Sequence, residues 1–543
     1  MPRRCLPASL LLFAAFGAPA WAGGREPAPP AALGVERHSD DAVAPAPAVE
    51  APPATAALAP EFAEQLLAAD VRLTPADRAE RGALASFYAA RQCAPVWVAA
   101  DGLNRQGAAV VAELARSDEW GLDASAFRLP PGLAPGRELS SRERAEAETL
   151  ISAAILKYAR YARGGRAEPS SLSPNLDRTL PTLPPLKVIG EIAEAPDPAG
   201  YLRQLHPRHP QFEALRQQYV ALRRAEADAA SGASGPRADN KAAVGNGPTA
   251  PSARKLLLNM EEWRWMPDSL GDFYVWVNVP EFTLRVVKMG KVIHSERVIV
   301  GKTDKQTPIF SRDLLQVIFH PYWGVPDSIT KNDILPSLAR GSTRLLERYN
   351  LRVQRFGRDI EPSSVDWTSV DMRSIHVYQP PGAANVLGFV KFRFPNKHDV
   401  YMHDTPDKQL FNAPVRAFSH GCMRVRDPQK LAELLLAEDQ GWPASRVAAA
   451  IHGGPPNNPV DLKGPIPVHI TYFTATVEED GKLRTFADIY GHEVRIAMGI
   501  EGKAHLIPKT AQDAGRAEAI GRLTESIRAA AKQNWVNRAF ANH

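Results

Sequence analysis

The chain has 543 residues, 44% of them hydrophobic, and a formal net charge of +5. That length suits about two to three domains, and the apolar share is enough for real cores. So modest a positive charge points away from nucleic acid, and three cysteines exclude a disulfide framework.

The chain begins with Arg3 and Arg4, an apolar run from Leu10 to Phe16, and Ala20-Trp21-Ala22. A positive start, a short apolar stretch and a small-residue cleavage site predict a signal peptide over 1–22 and an exported mature protein. The apolar run is too short to span a bilayer, and Cys5 lies before it, out of place for lipidation. Residues 23–58 are rich in Ala and Pro without periodicity and read as a disordered spacer. From 59 to 225 the pattern is helical. Thr74-Pro75 opens a helix running toward Arg91, Ser141–Ala162 has one apolar face, and Glu213–Arg224 is a further helix. Nothing in this part suggests chemistry, and Cys93 reads as a small buried apolar position. Residues 226–253 are rich in Ala, Gly and Ser and predict a flexible linker.

From 254 to 509 the character changes. A short helix, Leu256–Trp265, ends before Pro267, and strands follow at Phe273–Val279, Phe282–Lys288 and Val292–Val300, with Gly290 at a hairpin turn. Val317–Phe319, Phe389–Phe394, Val400–Met402, Val468–Thr476 and Thr485–Tyr490 continue the series. Residues 320–380 are irregular, and insertions of this length in a β domain often act as lids. Tyr322 and Trp323 within it could contact substrate, although aromatics between prolines also serve local packing. Asp427-Pro428 caps a helix reaching about Glu438, apolar at Leu431, Leu434 and Leu435, expected behind the loop that carries Cys422. Ala511–Ala531, inside a C-terminal piece over 510–543, reads as a basic amphipathic helix. The fold class is therefore α+β and multidomain: a helical N-terminal domain, then a mainly β domain with a long insertion.

The chemistry concentrates in Tyr401–Val425. His403 and Cys422 stand 19 positions apart, and the cysteine closes a Ser419-His420-Gly421-Cys422 run. A thiol attacks as its thiolate, and a nearby imidazole can take the proton. Both His403, at the end of the β-like run from Asp399, and His420 are candidates for that base. Gly421 lets the backbone bend and a carbonyl approach the N–H groups of Gly421 and Cys422. There is no His-Glu-x-x-His, no Cys-x-x-Cys and no phosphate-binding glycine loop, so neither metal nor cofactor is expected.

Tyr401-Met-His-Asp-Thr-Pro406 through Arg416-Ala-Phe-Ser-His-Gly-Cys-Met-Arg-Val425 resembles the signature of the L,D-transpeptidases with a YkuD-type domain, in the large periplasmic YcbB-like branch. The resemblance implies a YkuD-type β-sandwich, Cys422 as nucleophile and His403 as base, with His420 ranked below it. It also implies a helical scaffold domain, a catalytic domain capped by the insertion over about 320–380, oxyanion or site-shaping roles for Ser419, His420, Gly421 and Asp404, and substrate contact for Tyr401, Arg424 and Asn385. Asn385, Gly388 and Lys391 match the pattern too, and Lys391 or Arg424 could receive a substrate carboxylate. Phe87–Gln92, Pro95–Trp97 and Trp120–Asp123 resemble the scaffold of that branch. The implied partners are peptidoglycan stem peptides, and carbapenems as inhibitors. The implied reaction releases D-Ala and builds 3-3 cross-links in the periplasm. Attachment of an outer-membrane protein, L,D-carboxypeptidase action and a non-catalytic wall-binding scaffold are the alternatives. One departure stands out: the small peptidoglycan-binding module of many relatives is not found, and residues 226–252 occupy its place.

Overall fold

A computed structural model describes residues 73–129, 138–230, 252–326 and 329–509. The expected signal peptide, the spacer, most of the linker and the C-terminal helix lie outside the described residues.

The scaffold is helical because its apolar residues recur at helical spacing and its ends are capped. Helices α1 (Pro75–Ala90) and α3 (Ser141–Gly164) each begin with a reciprocal capping box, Thr74 with Asp77 and Ser140 with Glu143. With α2 (Arg105–Ala115), α4 (Pro185–Glu194) and α5 (Pro198–Gln204), they bury Leu84, Tyr88, Val110, Ile151, Ile155 and Ile189 in one core. Inside it, the Glu148 carboxylate accepts the backbone N–H groups of Val96, Trp97 and Val98 and the Tyr88 hydroxyl. Cys93 is half-buried at a left-handed turn after α1 (φ +58°), not fully buried as the sequence suggested, and both Cys93 and Cys422 are free thiols.

Helix α6 runs over Pro210–Ala230, so the segment expected to be linker is helical as far as 230. Its alanines and charged residues lack an apolar stripe there, which is why composition alone suggested a coil. Helix α7 (Ala253–Trp263) starts at the Ser252 cap and packs on α6, with Phe212, Leu215, Leu256 and Met260 in a shared core.

The catalytic domain is one continuous ladder. Its strands are β1 (Phe273–Asn278), β2 (Thr283–Lys288), β3 (Lys291–Gly301), β4 (Ser311–Phe319), β9 (Val390–Arg393), β10 (Met402–His403), β11 (Ala417–Ser419), β12 (Met423–Val425) and β13 (Asn458–Thr471). The hydrogen-bonded order is β11-β3-β12-β10-β9-β4-β13-β1-β2, and β2 pairs back onto β3. The sheet thus closes on itself instead of forming two separate stacked sheets, and closure removes the open edges. Val275, Val286, Val317, Phe392, Met402, Met423 and Val468 fill its interior. Helix α8 (Pro428–Gln440), capped by Asp427, covers it with Leu431, Ala432, Leu435 and Leu436.

The insertion between β4 and β9 is a small domain. Strands β5 (Trp323–Gly324), β6 (Arg352–Arg355), β7 (Arg358–Ile360) and β8 (Ile375–Gln379) form a sheet in the order β5-β8-β6-β7. Val325, Leu338, Leu346, Val353, Trp367 and Val377 make its own core. The irregular reading of 320–380 was wrong here, because strands this short leave no alternation to detect.

Candidate active site

The β9, β10 and β12 registers build the site. Lys391 pairs with His403, and His403 pairs with Arg424 in a parallel ladder. Side chains alternate along a strand, so Tyr401 and Cys422, two residues before His403 and Arg424, share the outer face with those three. Their neighbours Phe392, Met402, Met423 and Val425 point inward and are fully buried. The parallel pairing needs no hairpin, which is how residues far apart in sequence become neighbours.

Cys422 is half-buried and sits at a sharp turn, with Gly421 at φ +117°. Its S–H points at the Asp399 carbonyl, 3.9 Å away. Burial pushes the thiol up to about 11, against the backbone N–H of Tyr401, the Lys391 ammonium and the Tyr401 hydroxyl, all of which favour the thiolate. Tyr401 is the organising ring. Its hydroxyl lies beside Cys422 and the Trp323 indole, near enough to bear on its ionisation, the Lys391 ammonium lies 3.8 Å from its ring centroid, and the His403 ring meets its edge at 5.7 Å. Burial, partly countered by the Cys422 thiolate, lowers Lys391.

His403 is buried, and its Nδ1 bonds the Asp404 carbonyl. A carbonyl only accepts, so Nδ1 carries the proton and Nε2 of the neutral ring is a base. Burial first, then the Arg424 charge, depress the imidazole to about 3. Burial thus favours the neutral thiol and the neutral imidazole alike.

Four sequence expectations need correcting. The Gly421 N–H is taken by Ser419 Oγ at 3.1 Å, so it is not an oxyanion donor. Ser419 Oγ also donates to the Cys422 carbonyl at 2.6 Å, which makes it the brace of the turn. Among the described residues no hydrogen bond occupies the Cys422 N–H. Asp404 has both carboxylate oxygens engaged, by Thr405 N–H and Lys408 on one side and by Phe389 N–H on the other. It cannot donate to an oxyanion; it fixes the β9–β10 connection, beside Gly388, whose Cβ would lie 2.2 Å from Asp404 Oδ2. Asn385, expected to contact substrate, is buried instead, and its amide donates to the carbonyls of Pro321 and Pro380, fastening the two ends of the cap together. Finally, Asp399–Tyr401 is not a strand, because Asn396 bonds Val400 N–H and C=O in the ladder's place.

The other candidates are placed as follows. Arg424 is committed to Asp407 at 3.1 Å. His420 is exposed; partial covering and the charges of Lys302 and Lys305 lower it. Tyr322 is exposed and packs edge-on against Tyr378, while Trp323 alone of the two reaches the site. Two contributors escaped the sequence reading. Thr307 donates to the Gly421 carbonyl at 2.8 Å and accepts the Gly301 N–H at 2.9 Å. Asp399, at φ +54°, turns its carbonyl to the sulfur. Neither carries a local sequence signal.

Comparison with known proteins accords with this geometry. Residues 82–218 match the model of a scaffold domain, and residues 272–462 match that of the L,D-transpeptidase catalytic domain. The chain is 31% identical over 245 residues to a Haemophilus influenzae protein described as "Putative L,D-transpeptidase", covering 45% of this chain and 49% of that one. It thus spans about half the length of this curated relative. An L,D-transpeptidase from Mycobacterium smegmatis matches at 15% identity, covering 37% of this chain and 58% of that chain, with a TM-score of 0.19. Mycobacterium tuberculosis L,D-transpeptidase 1 matches at 14% identity over 37% and 61% of the two chains, with a TM-score of 0.17. By the family models, residues 272–462 are similar to the L,D-transpeptidase catalytic domain and residues 82–218 to the scaffold domain.

Proposed function

We propose that the protein is a peptidoglycan L,D-transpeptidase of the periplasmic YcbB-like branch, using Cys422 as nucleophile and His403 as base. The observation that carries this reading is the shared outer face of β10 and β12. There His403 and Cys422 stand on adjoining strands, with Nδ1 of His403 occupied and the sulfur held by Tyr401. The scaffold match supports the branch, and the Met1–Ala22 pattern supports export to the periplasm.

As sulfur attacks the carbonyl of the donor stem's third residue, the thiol proton passes to His403 Nε2 and a C–S bond forms. The oxyanion faces the Cys422 N–H. Its collapse breaks the C–N bond, and D-Ala leaves with the proton returned by His403. An acceptor amine then attacks the thioester, forming a C–N bond and releasing the thiol. The side chain of another stem's third residue as acceptor gives a 3-3 cross-link. Lys391, buried beside the sulfur without a carboxylate partner among the described residues, suits a stem carboxylate better than Arg424, which is already paired.

The test is mass spectrometry of the full chain with tetrapeptide stems and candidate amines. D-Ala release with a cross-linked dimer is expected. D-Ala release without a dimer would make it an L,D-carboxypeptidase, a stem joined to an outer-membrane protein would make it an anchoring enzyme, and binding without turnover would leave a scaffold.

A further inference from the structure

The outer edge of the cap is built at a local cost, from a strained turn and a like-charge pairing. Residues 340–358 carry six arginines and one acid, Glu347. The β6–β7 hairpin turns through Phe356 and Gly357. Phe356 adopts φ +51°, a conformation that bulky residues rarely accept, and yet its side chain is 81% exposed. Arg355 and Arg358 are direct cross-strand partners, a like-charge pairing that opposes the hairpin. Among the described residues no carboxylate lies within ion-pair distance of either; Asp359 pairs with Arg352 at 3.8 Å and accepts the Tyr378 hydroxyl. Arg355 stacks over the Phe356 ring at 5.5 Å, and Arg348 over Tyr349, itself 44% exposed, at 5.4 Å. The strand order puts β7 at the edge opposite Trp323, so this surface is separate from the cluster around Cys422.

We propose that this edge, centred on Arg355–Arg358, is a docking surface for the anionic glycopeptide polymer of the bacterial wall, a proposal that rests on the transpeptidase reading. Charge complementarity selects the partner. Wall stems carry free carboxylates, which guanidinium forks grip bidentately. Sugar rings present apolar faces that an exposed aromatic can cover. A bound anion relieves the Arg355–Arg358 repulsion, and a bound sugar covers Phe356. Insertion into a membrane would instead call for several apolar side chains at one depth, whereas this tip offers a single phenylalanine between arginines. Such a surface also serves a chain in which no peptidoglycan-binding module is recognisable.

The test sediments the full chain with purified wall sacculi at moderate salt, comparing it with the Arg355→Glu/Arg358→Glu and Phe356→Ser variants. In parallel, turnover of soluble tetrapeptide stems is followed. The charge-reversed variant should lose at least tenfold in sacculus binding and the Phe356 variant several-fold. Both should keep stem turnover within twofold and an unchanged melting temperature, and wild-type binding should weaken steeply with salt. Sedimentation of the charge-reversed variant equal to wild type overturns the proposal. So does arginine-dependent binding to anionic phospholipid vesicles with none to sacculi. Failure of the wild-type chain to turn over stems would instead count against the transpeptidase reading, which the sedimentation result does not touch.

Discussion

At the residue scale, the neutrality of the Cys422–His403 pair has measurable consequences. Cys422→Ala should abolish D-Ala release while leaving the melting curve in place. His403→Ala should cost roughly 10²–10⁴ in turnover, the usual worth of general acid–base catalysis; a larger loss from His420→Ala would reassign the base. Because burial pushes the thiol up to about 11, alkylation of Cys422 by iodoacetamide should keep climbing well above pH 8.5, where an unhindered thiol levels off. Intact-mass kinetics against pH will show it. The histidine works on stability in the opposite direction. Its imidazole is depressed to about 3 in the fold and returns to about 6.5 on unfolding, so between those values the unfolded chain binds the extra proton. Stability is fully present above pH 6.5 and falls as pH drops toward 3, by up to about 1.4 kcal/mol per unit from this residue. His403→Asn, which keeps a donor for the Asp404 carbonyl, should flatten the acid limb of the melting temperature by that share. A carbapenem, whose strained amide suits a thiol, should add its mass at Cys422 and not to the Cys422→Ala chain.

At the element scale, the turn before β12 is held by side chains, not by the ladder. Thr307→Val removes the donor to the Gly421 carbonyl and the acceptor of the Gly301 N–H, and should cost about 1–3 kcal/mol in denaturant titration. Ser419→Ala frees the Gly421 N–H and should lower kcat more than it raises KM. These braces mark the limit of what the sequence disclosed. Thr74 and Asp427 announced their helices because capping is a local contract between neighbours, and each helix begins where its cap stands. His403, Cys422 and Gly421 were legible because turn chemistry and residue type coincide within one short run. Thr307, Asp399 and the roles of Asn385 and Asp404 were not. Each acts through bonds to backbone groups that only the closed ladder brings near, and no periodicity encodes such a bond. The cap's sheet escaped for a plainer reason: strands as brief as Trp323–Gly324 and Arg358–Ile360 cannot display alternation.

At the scale of the whole molecule, the scaffold and the closed ladder are welded together. Ala167, Leu172 and Leu176 sit in the same core as Val275 and Phe392, and Asn175 and Asp177 exchange backbone bonds with Ile309. Calorimetry should therefore record one unfolding transition across the two domains, not two. The weld also reaches the site. Asp177 pairs with Lys397 at 2.7 Å and His398 at 3.1 Å, in the turn whose Asp399 carbonyl faces the sulfur. Burial opposes its ionisation, but His398 and Lys397 outweigh that and hold the carboxyl well below the usual range. Asp177→Ala should cost about 1–3 kcal/mol, as expected when the donors of a partly buried carboxylate lose their acceptor, and should slow turnover although it lies outside the Tyr401 cluster. The Asn385 clamp has a consequence of another kind. One amide ties the Pro321 and Pro380 carbonyls, so everything between them enters and leaves the enzyme through a single narrow neck. A segment so tethered can be exchanged as a cassette without rewriting the strands that hold the thiol.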